Sequence, residues 1–193
     1  MIMTASAVSV ATVTTGIRNL SLPKCVVGNI NRALDVSCIM RPIELDSHAD
    51  TCCAGSNCSI IEYTGKICNV IGFNRDNPND ELTDTPVVKT ATAYDAPTGE
   101  SYIIVLSQGL YLGDYISYSF LSPNQLRHNE LVVDDGPRHL SHDPANAMHF
   151  IFLPNENERI PLEMCGVIMF HTRKPTAEDI ETLPWLTFTS ELD

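Results

Sequence analysis

The sequence predicts a mainly β domain with few short helices, on three observations. Apolar runs of strand length recur along the chain, separated by stretches rich in Gly, Pro, Asn and Asp. "VVKTATAY" and "SYIIVLSQGLYL" flank "DAPTGE", a turn segment with Pro97 and Gly99, which is a β-hairpin signature. Helix-start signals stand at Ser122-Pro123 and at Thr176 to Asp179, each opening a short segment.

The elements follow in order. Residues 1–35, rich in Ala, Thr, Val and Ser, read as an N-terminal arm or edge strand. "VSCIMRPIELD" predicts a strand that ends in Asp46, and "DTCCAGSNC" a turn-rich connection. "SIIEYTGKICNVIGF" reads as two short strands joined at Thr64-Gly65, and "NRDNPNDELTDTP" as a polar loop with Pro78 and Pro86. After the hairpin, "YISYSFLSPNQLRHN" is a strand running into a turn or short helix. "LVVDDGPRHLSHDP" gives a strand and a loop, "MHFIFLPNENERIPLEM" a second hairpin, and "CGVIMFHTRKP" a further strand. "TAEDIE" begins a short helix with a capping-box start, and "LPWLTFTSELD" reads as a linker. No internal repeat is present.

Length and composition bound the function. A chain of 193 residues suits one domain, alone or with extensions, and 44% hydrophobic content suffices for a core. Asp and Glu number 24 against 12 Lys and Arg, a net charge of -12, which argues against a nucleic-acid surface. Seven cysteines is an odd number, so at least one thiol lacks an intrachain partner. The first basic residue is Arg18, so the charge pattern of a signal peptide is missing, and no apolar run reaches about 18 residues. The expectation is an intracellular, reducing setting with free thiols and no membrane span.

The chemistry concentrates in "IELDSHADTCC". An apolar run ends in Asp46, and a hydroxyl, an imidazole and a second carboxylate follow at once. Water can attack a peptide carbonyl when two close carboxylates share one proton, one acting as base and the other as donor. Asp46-Ser47 supplies one half of such a pair, so the other half would come from a symmetric partner. A plain Asp-Ser turn closing a strand is the competing reading. A third is a metal site, since Asp46, His48 and Asp50 alternate and Cys52, Cys53 and Cys58 follow. The cysteine spacing there is not a standard zinc spacing. His139 and His142 read as exposed loop residues, and Cys165 as a packed strand thiol. No local pattern pairs a cysteine with His128, His149 or His171 as nucleophile and base.

"IELDSHADT", then "TATAYDAPTGESYIIVL", then "YSFLSPNQLRHNELVV" together resemble the retropepsin-like aspartic protease region of copia-type LTR retrotransposons, in particular elements with an Asp-Ser-His-Ala-Asp-Thr signature. The resemblance covers roughly residues 38–175. It implies a retropepsin-like acid-protease β-barrel over 36–175 and a C-terminal connector over 176–193. It also implies an aspartic endopeptidase that forms a homodimer, acts on its own polyprotein and needs no cofactor, in the cytoplasm or in retroelement particles. Asp46 would be catalytic and Ser47 would join the two active-site loops. Ala49 would face substrate, Asp50 would bind substrate backbone, and Thr51 would complete the loop. The turn Asp95, Ala96, Pro97, Thr98, Gly99 and Glu100 would be the flap. His48 stands where most retropepsins have Gly, so an inactive dimerisation or assembly module and a metal-dependent hydrolase using Asp46, His48 and Asp50 stay open beside the protease.

Overall fold

The computed structural model describes residues 39–71, 81–140 and 148–190, all within the unit Leu34–Asp193. β1 is Arg41–Leu45, β2 Cys53–Gly55 and β3 Ser59–Ile71. β4, Glu81–Asp95, and β5, Ser101–Gly113, form the expected hairpin. β6, Ser119–Leu121, leads into α1, Pro123–His128, and β7 is Val132–Asp134. β8, His149–Leu153, and β9, Glu158–Cys165, form the second expected hairpin, followed by β10, Val167–Thr172. α2, Ala177–Thr182, and β11, Trp185–Thr189, come last. The arm expected over 1–35 and His142 lie outside the described residues.

The strands run in the order β3-β4-β5-β2-β6-β1-β10-β9-β8-β7, with β11 added beside β5. Most neighbours are antiparallel, but β1 pairs with β6, β2 with β5 and β11 with β5 in parallel. Each parallel contact joins segments distant in sequence, because parallel strands cannot be linked by a tight turn. The core gathers Ile43, Leu121, Leu126, Ile151, Phe170 and Phe188, so α1, β11 and strands from β4 across to β7 share one apolar interior. No helix among the described residues is long and apolar enough to cross a membrane.

Three expectations change. β3 runs unbroken through Thr64-Gly65, because the irregularity there is a bulge: Gly65 takes φ 75° and Thr64 Oγ1 donates to Val87 O at 2.6 Å. The polar loop is shorter than read, since "ELTDTP" belongs to β4. Pro86 fits that strand because β4 has only β3 beside it there and meets β5 from Val87 onward. Residues 176–190, read as connector, are part of the fold: alternation in β11 buries Leu186 and Phe188 against the core while Trp185 and Thr187 face out.

Arg173 secures this last segment. Its backbone exchanges two 2.9 Å hydrogen bonds with Ala93. Its guanidinium donates to Asp95 at 3.0 Å and to both oxygens of Asp179, at 2.6 and 3.0 Å. Asp179 also closes the capping box of α2 with Thr176. The Arg173 guanidinium holds the Asp179 carboxyl far below the usual carboxylate range. A depressed folded-state value contributes stability above the ordinary carboxylate range of about pH 4, and that contribution is lost as pH falls through the folded value. Asp179→Asn should therefore be less stable than wild type at about pH 6, with the gap narrowing as pH drops towards about 2. Urea midpoints of both proteins across that range check it.

Candidate active site

Asp46 begins where β1 ends, and its position is fixed by the neighbouring parallel strand. Its N–H donates to Leu121 O at 3.0 Å, continuing the β1–β6 ladder by one residue. The chain then turns sharply, with Ala49 N–H donating to Asp46 O at 3.2 Å and His48 N–H to Asp46 Oδ1 at 2.9 Å. A side chain capping a backbone N–H two residues on is what Asp does in such turns. The carboxylate keeps 41% of its surface exposed. The imidazole of His48 is 90% exposed, with Nδ1 3.6 Å from Asp46 Oδ1 and 3.5 Å from Ser47 Oγ. Ser47 and Asp50 are exposed, and Ala49 and Thr51 half-buried.

Beyond the turn the loop is anchored on α1. Cys52 N–H donates to Gln125 Oε1 at 2.7 Å, and Ser122 N–H to Cys52 Sγ at 3.3 Å. Ser122 also caps α1, accepting from Gln125 N–H, as the Ser-Pro start predicts. A rigid frame thus carries an open carboxylate. Towards the start of β1, level with Arg41 and Ile43, lies a buried polar cluster. Ser119 Oγ donates to Asn57 Oδ1 at 2.6 Å and accepts from Gly55 N–H at 2.9 Å. Asn57 Nδ2 donates to Thr172 Oγ1 at 3.0 Å, and Thr92 Oγ1 lies 3.0 Å from Asn57 O. The sequence marked Asn57 only as a turn residue, and its role in linking β4, β6 and β10 had no local signal. Gly55 is required by close approach, since a Cβ there would stand 1.9 Å from Tyr118 O.

The three thiols next to the loop, Cys52, Cys53 and Cys58, are poor nucleophiles. Burial pushes Cys52 up to about 12, and Cys53 and Cys58 up to about 11. At neutral pH they stay protonated and inert. For Cys53, Cys68 and then Asp46 add to the burial effect. Cys165, expected to pack within a strand, is exposed at the β9–β10 turn. His149 is buried in β8, and His139 is exposed as read.

Among the described residues no three or more of His, Cys, Asp and Glu converge where they could hold a metal. The alternating Asp46, His48 and Asp50 are therefore not assembled as a ligand set, because the turn replaces the extended geometry that would align them. The turn Asp95–Glu100 forms as a hairpin end, with Ala96 and Glu100 paired at 2.7 Å and Gly99 at φ 93°. It sits by Arg173, next to Thr172, which pairs with Arg41 at the start of β1. Asp46 lies past the other end of that strand, roughly 16 Å along it. Asp95 is held by Arg173 and Ser101, and Tyr102 Oη contacts Glu100 and Glu158 at 3.0 Å each. A cavity of about 220 Å³ floored by Leu131 and Leu153 lies beyond the C-terminal end of α1, away from Asp46.

No protein-family model, no curated protein and no solved structure matches the chain.

Removing the Asn57 amide leaves Ser119 and Thr172 facing an apolar gap. Asn57→Ala should cost about 3 kcal/mol, each orphaned buried polar group accounting for about 1–3 kcal/mol. Denaturant unfolding monitored by circular dichroism measures the loss.

Proposed function

We propose that this domain is a retropepsin-like aspartic endopeptidase of a retrotransposon polyprotein, in which Asp46 from each of two chains shares one proton across a two-fold axis. The observation that carries the reading is an open carboxylate on a fixed backbone, at the end of a parallel strand pair and followed by Ser47. A single chain offers one such carboxylate, so the second copy completes the site. The ionised partner takes a proton from water as the oxygen attacks the scissile carbonyl. The protonated partner gives its proton to the carbonyl oxygen, forming a tetrahedral diol. Proton transfer to the amine then breaks the C–N bond. No cofactor enters. The substrate is an extended polypeptide, the parent polyprotein in the first instance, in the cytoplasm or in retroelement particles.

In this reading the cover over the site is the β3–β4 hairpin. β3 and β4 pair along their length, from Ser59 with Ala91 to Ile71 with Glu81. Tyr63 and Ile67 on β3 and Leu82 on β4 expose apolar surface that a bound peptide would cover. The Asp95–Glu100 turn is tied to Arg173 and serves as an anchor instead.

A second reading, an inactive assembly module of the same fold, draws on His48. Its N–H already occupies Asp46 Oδ1, and its imidazole stands beside that oxygen.

Asp46→Asn should lower the cleavage rate of a polyprotein-derived peptide at least about a thousandfold, while circular dichroism and dimerisation stay unchanged. Cleavage that persists in the variant would move the chemistry to another residue.

His48→Gly separates the two readings. If wild type is a protease, both proteins cleave the peptide and the variant also accepts bulkier residues at the scissile bond. If His48 silences the site, cleavage arises only in the variant. Peptide-library cleavage read by mass spectrometry distinguishes them.

A further inference from the structure

Helices commonly close on a residue in the left-handed region, usually Gly and sometimes Asn. Asn129 follows α1 at φ -92°, and it is the next residue, Glu130, that takes φ 66°. Glu130 carries a Cβ, so its backbone is strained there as a Gly would not be. The strained turn puts an acidic residue on the wall of the cavity beyond α1. Leu131 and Leu153 floor that cavity, and both belong to the main core, at 8% and 1% exposure. Asn129 forms part of the wall and is held at both ends of its amide. Its Nδ2 donates to Gln125 O at 2.8 Å, and its Oδ1 accepts from Ser190 N–H at 2.6 Å. Glu156 comes from the turn joining β8 and β9, and Thr187 from β11.

Size and charge select the occupant. At about 220 Å³ the cavity is smaller than the roughly 300–1,000 Å³ of sites for drug-sized ligands, and suits one long side chain or a small molecule. Two acidic residues and no basic one line it. Among the described residues neither Glu130 nor Glu156 enters an ion pair. The arginines nearest in sequence are committed elsewhere: Arg127 to Asp135 Oδ1 at 2.6 Å and Val133 O at 3.1 Å, and Arg159 over the Phe150 ring at 4.1 Å. A metal ion fits poorly, since hard cations ask for about six oxygen ligands and no three of His, Cys, Asp and Glu converge among the described residues. An organic cation meets both halves of the site. Its methylenes cover the leucine floor while its charged head stays at the wet, acidic rim, as lysine stems do on other protein surfaces.

We propose that the cavity beyond α1 is a binding site for a primary alkylammonium group, as carried by a lysine side chain or a free diamine, with the aliphatic stem on Leu131 and Leu153 and the head against Glu130 and Glu156. The site stands apart from Asp46 and draws nothing from the reaction assigned to that residue. The net charge of -12 favours the approach of a basic ligand over an acidic one.

The test uses the full chain with methyl-labelled leucine, followed by NMR. Titration with Nα-acetyl-lysine methylamide, and separately with cadaverine, should shift the Leu131 and Leu153 methyls saturably, and the tighter of the two names the source of the amine. Nα-acetyl-norleucine methylamide, with the same four-carbon stem and no charge, should bind at least about threefold more weakly. Glu130→Gln and Glu156→Gln should each weaken binding of the amine by about threefold. Glu130→Gly should weaken it as much while holding or raising the urea midpoint, because Gly relieves the strained backbone and the loss is then not one of folding. Methyls that do not move with either amine, norleucine binding as tightly as lysine, or calcium displacing the amine overturns the proposal. So does unchanged amine binding in all three variants.

Discussion

Asn57 is the residue on which the arrangement turns. Its side chain reaches β6 through Ser119 and β10 through Thr172, and its carbonyl faces Thr92 of β4. Strands that share no tight turn are brought to one point by a single buried amide. A neutral amide suits the task because it donates and accepts at once, and every polar group it meets is satisfied without a buried charge. Ser119 relays the bond to Gly55 N–H, where the chain passes Tyr118 O so closely that no side chain fits. The cluster ties β2, β4, β6 and β10 together, and the Asp46 loop hangs from β6 through Leu121 O.

The loop itself follows a division of labour. Backbone groups are spent on position, with Asp46 N–H on β6 and Cys52 N–H on α1. Side-chain oxygens are left towards open surface, except the one that accepts from His48 N–H. A carboxylate placed in this way needs little reorganisation when a second charged group approaches, which is the physical requirement of chemistry by proton sharing. The thiols beneath are raised by burial and stay neutral, so they add no competing charge at neutral pH.

Local signals in the sequence were reliable where local physics decides. The strand delivering Asp46, the hairpin around Pro97-Gly99, the Ser122 cap and the Thr176–Asp179 box all form where their residues announce them. The sequence was silent where a distant partner decides. "WLTFT" follows a proline and is only five residues long, so nothing nearby marks it as a strand; it becomes one because β5 offers an open flank. Thr64-Gly65 looks like a break because the bonds that turn it into a bulge come from Val87. Arg173 reads as one charge in a basic pair, yet Asp95 and Asp179, from either side in sequence, make it a clamp. The candidate site was legible as a motif, whereas the bond from Cys52 N–H to Gln125 that anchors its loop comes from 73 residues away.

The parallel seating of β11 on β5 has a consequence in time. Ser107 N–H bonds Thr189 Oγ1 across 82 residues of sequence, and Phe188 joins the core that also holds Ile104 and Leu106 of the same strand. During synthesis at roughly 5–20 residues per second, β5 emerges about 4–16 seconds before its last neighbour. Through that interval half of one flank of β5 is bare and the interior lacks an aromatic ring. The apolar interior is complete only once β11 has been made.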